Sequence, residues 1–203
     1  MADDLAALLA AMEADDDRQR AEGLDQSERW RSITRETGRF LYQLAMVRRP
    51  ERIVEVGTSH GYSTVWLGLA AERLGATVTT YEVARWRYEP ALENLTAAGL
   101  DDVVTAELVD PGFDDYPDAI DLVFLDAEKA DYVRHFDRLV PRLAPNGVVV
   151  ADNVESHRDE LAGYLEHVRG HPECYSTLVP LGRGLEVTRR LVPGEVDVVE
   201  ALR

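Results

Sequence analysis

Four acids stand where chemistry can use them: Glu55, Glu82, Asp126 and Asp152, the last followed directly by Asn153. Each ends or sits beside a run of β-branched and apolar residues, which reads as the carboxyl end of a strand, the edge at which open parallel sheets bind ligands. Asp126 and the pair Asp152-Asn153 end neighbouring strands, so their oxygens can converge. Two carboxylates and an amide carbonyl make an all-oxygen set suited to a hard dication such as Mg²⁺, with water or substrate completing about six ligands. The competing reading is that Asp152 and Asn153 cap the next segment. Lys129 lies three residues beyond Asp126 and can face the same point. It is the sole lysine among 22 basic residues, which argues against a surface ornament.

A second group surrounds the first strand. In Arg52-Ile53-Val54-Glu55-Val56-Gly57-Thr58-Ser59-His60-Gly61-Tyr62-Ser63, a β-branched run feeds an acid, a glycine-bearing turn and then a helical pattern. Such a junction offers unpaired N–H groups and the positive end of a helix dipole to a polar ligand. A dinucleotide site needs G-x-G-x-x-G, whereas this chain has only Gly57 and Gly61, spaced G-x-x-x-G, with an acid two places before the first. That arrangement suits a cofactor bearing an ammonium better than one bearing a pyrophosphate. Glu82, ending the second strand, is placed to accept hydrogen bonds from a ribose diol, or else to cap the helix from Arg85. His60 can touch the ligand or stay on the loop surface, and His157 can approach the dication or merely start a helix.

The elements that must position these groups follow from periodicity. The patterns predict helices over 3–20, 27–47 and 64–73, then strand 77–82, helix 85–98 and strand 103–109. They continue with strand 119–126, helix 130–143, a turn at Pro145-Asn146-Gly147, strand 147–152, helix 157–169 and a closing strand pair over 175–181 and 184–190. Trp30, Ile33, Phe40, Leu41 and Leu44 are the expected inward face of the second helix, and Asp15-Asp16-Asp17 a solvated part of the first. The result is an α/β chain: a mostly parallel seven-stranded sheet with helices on both faces and an antiparallel C-terminal addition.

The 203 residues, 45% of them hydrophobic, suffice for one core, so a single domain over 1–203 is expected, with a helical cap over 1–48 and a Rossmann-like core over 52–190. Thirty-eight acids against 22 bases leave a net charge of −16. Such a surface repels nucleic acid and anionic lipid and serves solubility. No apolar run reaches the roughly 20 residues that span a bilayer, and one cysteine, Cys174, forms no intrachain disulfide. A cytoplasmic setting is expected.

Three motifs, Glu55-x-Gly57-x-x-x-Gly61-Tyr62-Ser63, Leu125-Asp126-Ala127-x-Lys129-x-x-Tyr132 and Asp152-Asn153-Val154, resemble in order and spacing those of the metal-dependent class I O-methyltransferases, the catechol and caffeoyl-coenzyme A enzymes among them. The resemblance runs from about residue 33 to 190. It implies S-adenosylmethionine as cofactor, held by Gly57 and Ser63 at its methionine part and by Glu82 at the ribose, with Glu55, Ser59 and Gly61 also among the cofactor-binding residues. Asp110 would lie near the adenine, with Asp126 also at the cofactor and Ile33 covering it. It further implies Asp126, Asp152 and Asn153 as ligands of Mg²⁺ or another dication, Lys129 as the catalytic residue, a small hydroxylated acceptor and a homodimer. Lys129 would act either as an ammonium beside the acceptor oxyanion or, neutral, as the base.

The chain departs from that pattern in three places. Thr177 stands where the catechol enzyme has a substrate-gripping carboxylate, Arg183 stands between glycines where an acid is usual, and Glu155-Ser156-His157-Arg158 replaces a bulky apolar run. Arg183 can face an acidic substrate or only solvent. Two other functions fit parts of the sequence. A hydroxyuridine O-methyltransferase of tRNA would need a basic patch, for example Arg29, Arg31, Arg35 and Arg39. A non-catalytic nucleotide-binding module would keep Gly57 and Glu82 but have no use for Asp126, Lys129, Asp152 and Asn153 together.

Overall fold

A computed structural model describes residues 2–110, 116–195 and 201. The order along the chain is α1 (Ala2–Ala21), α2 (Arg35–Arg48), β1 (Arg52–Val56), α3 (Tyr62–Leu74), β2 (Thr77–Glu82), α4 (Arg85–Ala97), β3 (Val104–Leu108), β4 (Ile120–Leu125), α5 (Tyr132–Leu139), β5 (Leu143–Ala151), α6 (Ala162–Gly170), β6 (Cys174–Val179) and β7 (Leu185–Arg190). The strands form one sheet in the order β3-β2-β1-β4-β5-β7-β6. Pairs from β3 through β5 are parallel, and β7 runs antiparallel to both β5 and β6.

The two-residue period of the strands divides the core. Ile53, Val78, Leu122, Phe124, Val148 and Val150 face one side, where Leu41, Val65, Leu67 and Ala70 of α2 and α3 meet them with Leu9 and Met12 of α1. Val54, Val56, Val123, Leu125, Val149 and Ala151 face the other, against Tyr132, Phe136 and Leu139 of α5 and Tyr164 and Val168 of α6. Each such fully buried aliphatic side chain contributes about 1.5–3 kcal/mol, so a one-residue slip of any central strand would reverse both layers.

The chain winds outward from β1 to β3, then returns to place β4 on the other side of β1. This reversal opens a crevice at the carboxyl ends of β1 and β4. The two loops leaving those strands nearly touch: Gly57 has φ +104°, and a Cβ there would lie 2.2 Å from the Asp126 carbonyl oxygen. Only glycine fits such a contact with that backbone.

Five expectations need correction. Helix α2 begins at Arg35, not at residue 27, because Thr34 caps it by accepting from the Thr37 amide. Residues 29–34 instead run without helix, with the Trp30 amide bonded to Gln19 and the Arg31 amide to Asp16, both on α1. Asp16 is thereby buried and is no part of a solvated face. Helix α5 gives way to a 3₁₀ turn over Val140–Arg142. Pro145-Asn146-Gly147 lies inside β5, where the register against β4 shifts, and α6 starts at Ala162 after a run of turns.

Candidate active site

A cavity of about 500 Å³ occupies the crevice. Gly57, Ser59, Glu82, Asp110, Asp126, Lys129 and Asn153 line it, as do His157 and Arg183. Ile33, Glu55, Gly61, Ser63 and Asp152 are buried and not on its wall. Ile33 packs in the core layer that holds α2 and α3. Thr177 lies exposed on the edge strand, away from the cavity.

At the β1 end, the loop geometry explains the acids. Glu82 accepts from the Ser59 amide at 2.8 Å with one oxygen, and from the amides of Val83 and Ala84 at 3.0 and 2.9 Å with the other. It therefore closes the turn into α4 and also lines the cavity. Glu55 lies one layer deeper and is fully buried. It accepts from the hydroxyls of Ser63, Thr64 and Thr80 at 2.6, 2.5 and 2.6 Å. Burial outweighs these donors and pushes its carboxyl up to about 7. The carboxylate thus ties β1, β2 and the first turn of α3 together beneath the loop. Gly61 caps α3 with φ +90°, and no side chain caps that helix.

At the β4 end, three polar groups converge. Asp126 Oδ1 accepts from Asn153 Nδ2 at 2.7 Å and from Lys129 Nζ at 3.1 Å. Lys129 Nζ also donates to the Ala127 carbonyl at 3.1 Å and to the Tyr132 hydroxyl at 3.0 Å, and the Tyr132 hydroxyl donates to the Asp152 carbonyl at 3.2 Å. Three acceptors match the three protons of an ammonium. Asp152 is buried, and its Oδ1 has no hydrogen-bond partner. Burial first, and then the charge of Asp126, push its carboxyl up to about 7. Asn153 adopts φ +69°, which swings its amide back toward Asp126.

An orphaned buried carboxylate oxygen beside a second carboxylate is a set that a cation would satisfy. Asp126, Asp152 and Asn153 therefore fit a hard dication. In the arrangement seen, Asn153 turns its amide nitrogen to Asp126, so presenting its oxygen would require that amide to rotate. Among the described residues no cluster of three or more His, Cys, Asp or Glu side chains suited to a metal occurs; the set here is two acids and an amide.

Several wall residues lie outside the cofactor, metal and catalytic set that the sequence points to, and Arg31 counts there only as part of a basic patch. Arg31, with φ +60°, reaches across the cavity mouth to Glu128 at 2.7 Å. Arg87 is buried on the wall, with Nε unpartnered, Nη2 donating to the Ser27 carbonyl at 3.3 Å and its guanidinium 4.7 Å from the Trp86 ring centre. Tyr81 and His135 share the wall with Asp110, which is paired to Arg134 at 3.2 Å. His60 is neither at the ligand nor on the surface: it is buried, stacked 5.1 Å from Trp30, and held by burial down to about 4. Trp30 in turn meets Trp86 at 5.3 Å. This stack fixes residues 29–34 over the crevice. No hydrophobic spacing announces it, because its partners are 30 and 56 positions away in the chain.

A parallel sheet with a glycine-bearing first loop at its switch point is the architecture of a class I methyltransferase, and residues 54–154 match the methyltransferase-domain family. The chain is similar to O-methyltransferases of that class. A catechol O-methyltransferase of Mycobacterium tuberculosis is 38% identical over 128 residues, covering 61% of this chain and 57% of that protein. One from Niastella koreensis is 30% identical over 138 residues, covering 61% of this chain and 58% of that protein. The chain thus matches less than two thirds of the length of either relative. The solved O-methyltransferase from Streptomyces achromogenes, in complex with S-adenosylmethionine, shares the fold with a TM-score of 0.73, at 24% identity and 90% coverage of each chain.

Proposed function

We propose that this protein is an S-adenosylmethionine-dependent, dication-dependent O-methyltransferase of a small hydroxylated acceptor, of catechol type. One observation carries the reading: Glu82 and the Gly57 loop share a single cavity with Asp126, Lys129 and Asn153, so a nucleoside end and a polar reacting end face each other across the crevice. The names of the relatives and the cofactor of the Streptomyces enzyme point the same way.

In this reading Glu82 receives the ribose diol, and Gly57 and Ser59 approach the methionine part through the backbone, with Asp110 and His135 at the adenine. Asp126, Asp152 and Asn153 would hold the dication. Bound together, the cofactor would supply a methyl group on a sulfonium, and the dication would stabilise the acceptor oxyanion and fix its direction. The chain's own contribution is alignment and charge. Lys129, anchored by Asp126, the Ala127 carbonyl and Tyr132, holds an ammonium beside the acceptor oxygen, which favours loss of the hydroxyl proton. Alignment of the two reactants supplies several kcal/mol more. Residues 29–34 cover the crevice and exclude water.

A single domain, a cytoplasmic location and a homodimer complete the proposal; they rest on the family resemblance and on the lone Cys174. Of the arginines named for the tRNA alternative, Arg35 is paired to Glu13 at 2.8 Å and Arg31 to Glu128 at 2.7 Å, so these two charges are answered within the protein. Calorimetric titration of S-adenosylhomocysteine, with Mg²⁺ and then with EDTA, tests the reading directly. Micromolar binding followed by methylation of a catechol supports it, and no binding to folded protein overturns it.

A further inference from the structure

The wall of the cavity inverts the charge balance of the chain. Lining side chains include seven lysine or arginine residues against five acids, whereas the whole sequence has 22 against 38. Most of these wall charges are answered within the protein. Arg20 answers Asp16, Arg31 answers Glu128, Lys129 answers Asp126, and Arg134 answers both Asp110 and Asp131. Arg29 and Arg183 are different: among the described residues neither guanidinium makes an ion pair or a side-chain hydrogen bond to the protein, although both are half-buried and line the cavity. Of the two, Arg183 stands at the reacting end, where its charge acts on Asp152.

Its backbone is clamped at the reacting end. The Arg183 carbonyl accepts from the amides of Glu155 and Ser156, both at 3.1 Å, and the Gly184 carbonyl accepts from Val154 at 3.1 Å. This ties the β6–β7 turn to the residues immediately after Asn153. The flanking glycines leave the turn no room to shift: a Cβ on Gly182 would lie 2.4 Å from Thr37 Oγ1, and one on Gly184 would lie 2.4 Å from Glu155 Cγ. A guanidinium held on so fixed a base, in a cavity and without an internal partner, is preorganised for an anion from outside. The planar fork matches a carboxylate in two parallel bonds. The distant acidic surface does not cancel this attraction, since charges more than about 10 Å away are screened at physiological salt.

We propose that Arg183 receives a carboxylate of the acceptor, so that the preferred substrate is a vicinal diphenol carrying an acid group rather than a neutral catechol. This rests on the methyltransferase reading and names the acceptor class for that same site. Arg183 sets specificity in it and takes no part in the transfer.

The test compares a catechol ring bearing a carboxylate with the same ring bearing a carboxamide. Each is titrated into the protein loaded with S-adenosylhomocysteine and Mg²⁺, and each is then followed as a methyl acceptor. The wild type is expected to prefer the carboxylate by about tenfold or more, as a charge-assisted bond implies. Arg183→Gln is expected to lose that preference, chiefly through KM, and Arg183→Lys to keep part of it. Equal affinity of the wild type for both rings, or a preference that survives in Arg183→Gln, overturns the inference while S-adenosylhomocysteine binding leaves the methyltransferase reading standing. Failure to bind S-adenosylhomocysteine overturns both.

Discussion

Arg31 and Glu128, 97 positions apart in the chain, meet across the mouth of the cavity with Nη2 and Oε1 at 2.7 Å. Glu128 is 62% exposed and Arg31 30%, so the pair contributes at most about 1 kcal/mol to folding. Its importance is positional, because it joins the segment over the crevice to the loop after β4. Glu128→Ala is expected to leave the urea midpoint nearly unchanged while speeding dissociation of S-adenosylhomocysteine several-fold in stopped-flow displacement. An unchanged off-rate would show that the Trp30–His60 stack and the bonds to Gln19 and Asp16 hold the segment without this pair.

Asp152→Ala removes the carboxyl whose Oδ1 lacks a partner. Since that group is held in the interior at a desolvation cost, stability should change by less than about 1 kcal/mol. Turnover in Mg²⁺ should fall to the level seen in EDTA, with S-adenosylhomocysteine binding largely retained. Wild-type turnover that is the same in EDTA as in Mg²⁺ would refute the dication assignment.

Lys129→Arg keeps the positive charge but replaces a compact ammonium, which matches three acceptors at 3.0–3.1 Å, by a planar fork. The expected loss is on the order of 10²-fold in kcat, with the cofactor dissociation constant little altered. Full activity would reduce Lys129 to a structural brace for Asp126.

Glu55 predicts a pH dependence of stability. In the folded protein its carboxyl keeps its proton up to about pH 7, whereas its ordinary value is 4.5. The folded state therefore binds the extra proton between these limits, and by linkage this contribution is whole below pH 4.5 and lost as pH rises through 7. Glu55→Gln, neutral throughout, should flatten the fall in unfolding free energy across that window, as measured by urea titrations at stepped pH. An identical slope in both proteins would mean that the three hydroxyl donors keep Glu55 ionised.

Much of the fold was legible because its strands obey one period. Val54 and Val56 alternate with Ile53, and Val123 and Leu125 with Leu122 and Phe124, so both layers could be read directly, and β2 falls on the expected residues 77–82. The stretch 27–34 was misread as helix because Trp30 and Ile33 have helical spacing. What straightens it are single hydrogen bonds from the Trp30 and Arg31 amides to Gln19 and Asp16, 11 and 15 residues earlier, which no local pattern encodes. The same limit applies to the site. Acids at strand ends, the lone lysine and the glycine loop are visible in the sequence as types at positions. That Glu55 turns inward to three hydroxyls while Glu82 faces the cavity depends on side-chain packing across β1, β2 and α3. Arg87 and Glu128 carried no spacing at all.

The place of β7 in the sheet has a consequence for synthesis. Strands β2 to β5 each pair with a strand already made, but the free edge of β5, Val148–Ala151, waits for residues 186–189. During translation that apolar edge stays open, with unpaired amides and carbonyls, until nearly the whole sheet has been made. Aggregation of the nascent chain should therefore concentrate in this interval, and pairing of β7 is the step that ends it.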